Sequence, residues 1–213
     1  MTPSAVSRSR DLESEATRRA ILDAAEHLLA SRGEAGLSIR EVCARAGVTP
    51  PTIYHHFGDK AALVDRAVDE CFEGFDRAFA GRAAPVDPVE RLRWGFDRYL
   101  EYGVGHPTHY RLMFQRSPAR PTPGALASYD RLRRMVAAVA ATGRLAAQVE
   151  DATAAFWTVV HGATSLVISG FMKPDSAAIR LVRDAILAEL TRSAPQRTRS
   201  ARRSPRRKPG RRR

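Results

Sequence analysis

Residues 37–63, L-S-I-R-E-V-C-A-R-A-G-V-T-P-P-T-I-Y-H-H-F-G-D-K-A-A-L, carry three helix starts in close succession, and no other stretch limits the fold so tightly. Ser38 stands three residues before Glu41. That is the spacing of a capping box, in which the serine oxygen accepts a first-turn N–H and the glutamate reaches back to the cap's own N–H. Leu37 and Val42 bracket this start as a hydrophobic staple. Thr49 followed by Pro50 repeats the signal, with the proline at a position whose N–H has no helical partner anyway. Val48 and Ile53 form its staple, and Asp59 after Gly58 caps a third helix. Between the first two starts, Ala44-Arg45-Ala46-Gly47 lets two helices approach, with Gly47 free to take the left-handed turn. Two short helices across a tight glycine turn make a helix-turn-helix.

The rest of the chain reads as helix as well. A helix from about Ser14 places Ile21, Leu22, Ala25, Leu28 and Leu29 on one stripe, which must pack on the helix-turn-helix because it is too small to fold alone. Residues 1–13, without an apolar pattern, are expected to form a disordered arm. Beyond Asp59 a long helix reaches about Ala80, and G-R-A-A-P-V-D-P punctuates the chain after it. Further helices are expected over Pro88–Gly103, from Pro107 through H-P-T-H-Y-R-L-M-F-Q, and over Ala125–Ala141, Glu150–Met172 and Ser176–Thr191, with S-P-A-R-P-T-P-G as a loop. No alternating pattern points to a strand. The expectation is therefore an all-α chain with a three-helix DNA-binding domain over 14–60. A long helix joins it to a helical-bundle ligand-binding and dimerisation domain over 61–192, and a basic tail covers 193–213.

Charge is unevenly placed. Of the formal +12, residues 193–213 hold 10 Lys and Arg and no acid, which leaves 25 basic against 23 acidic residues before them. The prolines, serines and like charges of that tail predict disorder, and its function would be to bind phosphates without reading bases. Cys43 and Cys71 are isolated on helices and offer neither a disulfide framework nor a C-x-x-C metal site, which fits a reducing cytoplasm near the nucleoid. No apolar N-terminal segment suggests a signal peptide. Residues 152–172 lack formal charge over nearly a membrane-spanning length, but the scattered Thr153, Thr158, His161, Thr164, Ser165 and Ser169 favour burial by protein.

The stretch S-I-R-E-V-C-A-R-A-G-V-T-x-x-T-I-Y-H-H-F-x-x-K-x-x-L, with the preceding A-I-L-D-A-A-E-H-L-L-A-S-R-G, resembles the DNA-binding domain of the tetracycline-repressor (TetR) family of bacterial regulators. The match covers roughly the first third of the chain. It departs at Pro50-Pro51, where the family more often has one proline or none. The resemblance implies base or phosphate contacts for Thr49, Thr52, Tyr54 and His55, and phosphate contacts for Ser38 and Lys60. Arg40 is a further candidate reader, since a guanidinium can grip guanine O6 and N7 together. Ile53 and Phe57 are read as core, and His56 as divided between core and surface. H-P-x-x-Y-R-L-M-F followed by F-W-x-x-x-H-G-x-x-S-L resembles the regulatory domain of one TetR subgroup, the WHG domain. The implied partners are a palindromic double-stranded DNA operator, an unidentified small-molecule effector and a second copy of the chain.

Within the second half, aromatic residues paired with polar groups at helical spacing are the ligand candidates: Trp157 with His161, His106 with Tyr110, and Tyr99 nearby. His106, His109 and His161 lack the Cys or acidic partners of a metal site, so no metal or cofactor is expected. No nucleophile–base pair or phosphate-cradling glycine loop points to an enzyme. The rival to a sequence-specific regulator is an architectural protein that uses its basic tail to bind DNA of any sequence.

Overall fold

The computed structural model of the chain describes residues 5–80, 83–114 and 121–191. Among these residues it is helical without a strand: α1 (Ala5–Arg32), α2 (Ile39–Ala46), α3 (Pro50–Phe57), α4 (Lys60–Phe79), α5 (Pro88–Gly105), α6 (Pro107–Phe114), α7 (Pro123–Ala141), α8 (Val149–Ile168) and α9 (Ala177–Leu190). The expected tail lies outside the described residues, as do the first four residues of the arm and part of the S-P-A-R-P-T-P-G loop.

The head is assembled by its apolar stripe. Ile21, Leu22, Ala25, Leu28 and Leu29 of α1 are buried with Leu37 just before α2, Val42 of α2 and Ile53 of α3. Gly47 (φ 67°) ends α2 in the left-handed region, and Gly58 (φ 83°) bends the chain before Asp59. Asp59 Oδ1 accepts the Ala62 N–H at 2.8 Å, so the third start is capped as its sequence predicts. The first two are not capped that way. Ser38 and Thr49 hold the extended backbone of a cap, but neither side chain accepts from its own helix. Glu41 is drawn instead to Arg32 on α1, 2.6 Å away, and a charge-assisted bond outcompetes a neutral backbone donor. The staples take over: Leu37 and Val42 are both buried, and Val48 packs on the core that holds Ile53.

Two element ends differ from the sequence reading. α1 starts at Ala5 rather than near Ser14. A nucleated helix extends cheaply, and Ser9 to Glu13 and Thr17 to the Glu13 carbonyl bridge its turns even without an apolar stripe. α8 stops at Ile168 rather than Met172, because Gly170 (φ 78°) turns left-handed and the Phe171 and Met172 N–H groups return to the Leu166 carbonyl.

α4 belongs to both halves. Leu63, Val64 and Ala67 complete the head, and Val68, Phe72 and Phe75 continue the same core into a body of α5, α6, α7 and α8, with α9 laid over α5 and α8. Polar links fasten α4 to α7. The Gly124 N–H donates to Asp69 Oδ1 at 2.9 Å, and Ser128 Oγ donates to Asp76 Oδ1 at 2.6 Å. The first needs glycine, since a Cβ there would lie 2.7 Å from Asp69 Oδ1 and 2.9 Å from the Phe72 Cβ. Beyond its acidic first turn, α8 buries its hydroxyls by local bonding: Thr153 and Thr164 donate to the carbonyls four residues back at 2.6 and 2.7 Å. Among the described residues, no helix is long and apolar enough to cross a membrane.

Candidate nucleic-acid interface and ligand cavity

The helical period of α3 sorts its side chains. Ile53 is fully buried and Phe57 half-buried against the core, while Tyr54 and His55 project into solvent. Tyr54 is 47 % exposed. Thr49 and Lys60 are exposed beside them and Thr52 is half-buried, its Oγ1 3.0 Å from that of Thr49. Ser38 is half-buried at the start of α2 and Arg40 is exposed two residues on. Because the Ser38 hydroxyl does not cap its helix, it and the first N–H groups of α2 are left for an outside acceptor. Pro50 and Pro51 remove two such donors from α3, so that helix offers hydroxyls instead. His56 is half-buried, its ring tilted against Phe57 at 6.2 Å.

One head residue escaped the sequence reading. The Arg18 guanidinium of α1 lies 5.6 Å from the centre of the Phe57 ring, which sets a cation beside the end of α3. No local signal marks it. Only the packing of α1 against the short helices brings the two together.

In the body, α4, α5, α6, α7 and α8 enclose a cavity of about 620 Å³, within the range of small-molecule sites. Its wall is mainly aromatic and aliphatic, with Phe72, Phe75 and Phe79 from α4, Phe114 from α6, and Trp157 and His161 from α8. Tyr99 also lines it. Tyr110 is buried behind, its hydroxyl 2.7 Å from His161 Nδ1, and the Tyr99 hydroxyl lies 3.2 Å from the same nitrogen. Burial holds His161 below its usual range and pushes the Tyr99 and Tyr110 hydroxyls up, so all three are neutral near pH 7. Trp157 and His161 thus share one wall of α8, their rings 5.8 Å apart.

His106 does not join them. Pro107 opens a new helix, so residues 106 and 110 do not share a continuous face. His106 is the exposed C-cap of α5, with its ring stacked on Tyr102 at 4.5 Å. The three histidines do not gather either: His109 lies beside His106, and His161 stacks on Tyr110. The phenylalanines of α4 were legible as an apolar stripe, but not as cavity wall, because the first half of the same stripe builds the head.

Two family profiles match the sequence: bacterial regulatory proteins of the tetR family over residues 21–67, and the tetracyclin repressor-like C-terminal domain over residues 92–190. Among curated proteins, the helix-turn-helix transcriptional regulator EthR of Mycolicibacterium smegmatis is 31 % identical over 96 residues, 43 % of this chain and 43 % of that protein. A helix-turn-helix transcriptional repressor of Mycobacterium tuberculosis is 39 % identical over 77 residues, 36 % of this chain and 40 % of that one. The matched stretch thus spans less than half the length of these relatives. Among solved structures, a TetR-family protein from Vibrio parahaemolyticus superposes with a TM-score of 0.68 at 20 % identity, covering 82 % of this chain and 98 % of that one. A TetR-like regulator from Rhodococcus sp. RHA1 gives 0.64 at 21 %, covering 89 % and 98 %. At such identities the likeness is one of fold.

Proposed function

We propose, since the chain belongs to the TetR family of bacterial regulators, that it is a cytoplasmic, homodimeric transcriptional repressor released from a palindromic DNA operator by a small molecule. The observation that carries this reading is the double duty of α4. The helix that begins with Lys60 beside the exposed face of α3 is the one that walls the cavity with Phe72, Phe75 and Phe79. A molecule in the cavity therefore bears on the element that sets the head. It shifts the head only by as much as it prefers one setting over the other. In the dimer the two heads must enter successive major grooves roughly 34–36 Å apart. Tyr54, His55, Thr49, Thr52 and Arg40 would read or grip the groove, and Ser38, Lys60 and Arg18 would hold phosphates.

A second copy would dock on α8 and α9. Along α8, Ala154, Thr158, Gly162 and Leu166 recur every fourth residue on the exposed side, and α9 adds Leu181 and Val182. No charge interrupts the α8 strip, and the open space at Gly162 leaves room for a partner helix.

Sequencing the genomic fragments retained by the purified protein tests the proposal. A regulator selects a short palindrome over bulk DNA by on the order of 10³-fold or more. Retention of fragments without a shared palindrome would instead establish the architectural alternative.

A further inference from the structure

The polar groups of the cavity say what kind of molecule it holds, given that the cavity is the effector site. Charge along its wall is already matched. The Arg131 guanidinium pairs with Asp76 and lies over the Phe79 and Phe75 rings, 4.3 and 5.3 Å from their centres. The Ser128 hydroxyl is spent on the same Asp76, and Thr122 accepts the Ala125 N–H. The imidazole of His161 lines the same space, and its neighbours favour one tautomer. Nδ1 lies 2.7 Å from the Tyr110 hydroxyl and 3.2 Å from that of Tyr99, and the two hydroxyls are 3.4 Å apart. Donation then runs from Tyr99 to Tyr110 or Nδ1, and from Tyr110, which makes the shorter contact, to the lone pair of Nδ1. The opposite tautomer would send the Tyr110 proton to one of two longer contacts, the Tyr99 hydroxyl at 3.4 Å or the His161 carbonyl at 3.3 Å, an oxygen inside the α8 hydrogen-bond ladder. With Nδ1 accepting, the ring proton sits on Nε2.

We infer that the cavity takes an uncharged, largely aromatic molecule with one hydrogen-bond acceptor, such as a ketone, ester or ether oxygen, which binds the Nε2 proton of His161. The rings of the wall already meet edge to face, Phe72 and Phe114 at 82° and Phe114 and His161 at 73°, the geometry in which they would receive an aromatic guest. Among the described residues of the wall, a carboxylate would be stripped of water without a free cation to meet it. Burial keeps the imidazole neutral, so it does not supply one.

Three matched probes test this: diphenylmethane, benzophenone and diphenylacetate, titrated at pH 8 against wild type, His161→Phe and His161→Gln, with the quenching of Trp157 fluorescence as the signal. Benzophenone is expected to bind wild type roughly three- to tenfold more tightly than diphenylmethane, the worth of one neutral hydrogen bond and of an otherwise unpaired donor. Diphenylacetate is expected to bind weakest. The ketone preference should vanish in His161→Phe, with diphenylmethane still bound, and survive in part in His161→Gln, which keeps an N–H donor. Equal binding of ketone and hydrocarbon by wild type overturns the inference without any variant. So does tightest binding of the carboxylate, or a ketone preference that persists in His161→Phe. In each of those cases the cavity still binds a probe and the effector-site reading stands; if no probe binds, both readings fall.

Discussion

Glu26 of α1 and His109 of α6 sit 3.7 Å apart, oxygen to nitrogen, at the seam between head and body, yet they do not form an ion pair at neutral pH. Burial, reinforced by the Asp23 and Glu70 carboxylates and only partly offset by Arg19, pushes Glu26 up to about 7. Burial, with His106 and Arg19 nearby, pushes His109 below its usual 6.5. Where Glu26 is ionised, His109 is therefore already neutral. A carboxyl with a raised pKa binds more protons folded than unfolded, so its stabilising share is complete below about 4.5 and is lost as pH rises through 7. His109 has the opposite sign, with its share complete above 6.5 and lost on acidification. Between pH 6 and 8, Glu26 dominates. Denaturant unfolding should show wild type losing about 1 kcal/mol more than Glu26→Gln over that rise, a figure already reduced for solvent screening of the partly exposed carboxyl. Parallel losses in the two proteins would place Glu26 in its ordinary range. On the reading face, Tyr54→Ala and Lys60→Ala should each weaken operator binding in a gel-shift titration, with melting temperature unchanged, because both side chains are exposed. Unaltered affinity would remove them from the interface.

At the scale of elements, α9 shows how a helical stripe divides between two jobs. Ile179, Val182, Ile186 and Leu190 recur along one side in the sequence and invite assignment to a dimer interface. In the fold, Ile179 and Leu190 are buried within the chain and Ile186 packs on its core, while Val182 is exposed beside Leu181, which is 70 % exposed. The monomer's own α5 and α8 claim the inner part of the stripe, and Arg183 seals that side through Asp97 of α5 at 2.7 Å. The proposed interface would therefore lie on the Leu181 side. Leu181→Glu should convert a dimer into a monomer in sedimentation at micromolar concentration and leave helix content intact, since the side chain supports nothing in its own chain. A variant that still sediments as a dimer would move the interface elsewhere. α4 divides differently, lengthwise: its first two turns close the head and its last three wall the cavity.

For the whole molecule the question is how much DNA affinity belongs to residues 193–213. The basic residues of 193–213 lie beyond the described residues, and the near balance of charge before them leaves the head few cations to hold DNA unaided. Deleting 193–213 should weaken operator and scrambled DNA by similar factors, with the ratio between them preserved. Each lost phosphate contact takes roughly 0.9 from the slope of log K against log salt, so the slope should become shallower by several per chain. A salt series on both DNAs, with full-length and shortened protein, measures this. An unchanged slope would make the tail a solvated appendage, and loss of operator preference alone would make it a reader of sequence.

Local chemistry was enough for the helix-turn-helix. Gly47, Gly58 and Asp59 act through their own backbone and nearest neighbours, and the stripe from Ile21 to Leu29 acts through helical period alone, so the sequence determined their roles. The exposure of Tyr54 and His55 follows from the same period once Ile53 is placed inside. The long-range competitions were decided only by the tertiary structure. Glu41 left its capping box for Arg32, Arg18 met Phe57, and His106 turned to Tyr102 while His161 turned to Tyr110. The cavity is the clearest case, because its wall draws on α4 through α8 and no single helix carries the signal. A sequence pattern shows which side chains avoid water. Which of them touch each other, and which border an open space, depends on how the helices cross, and that is set by the packing of the whole chain.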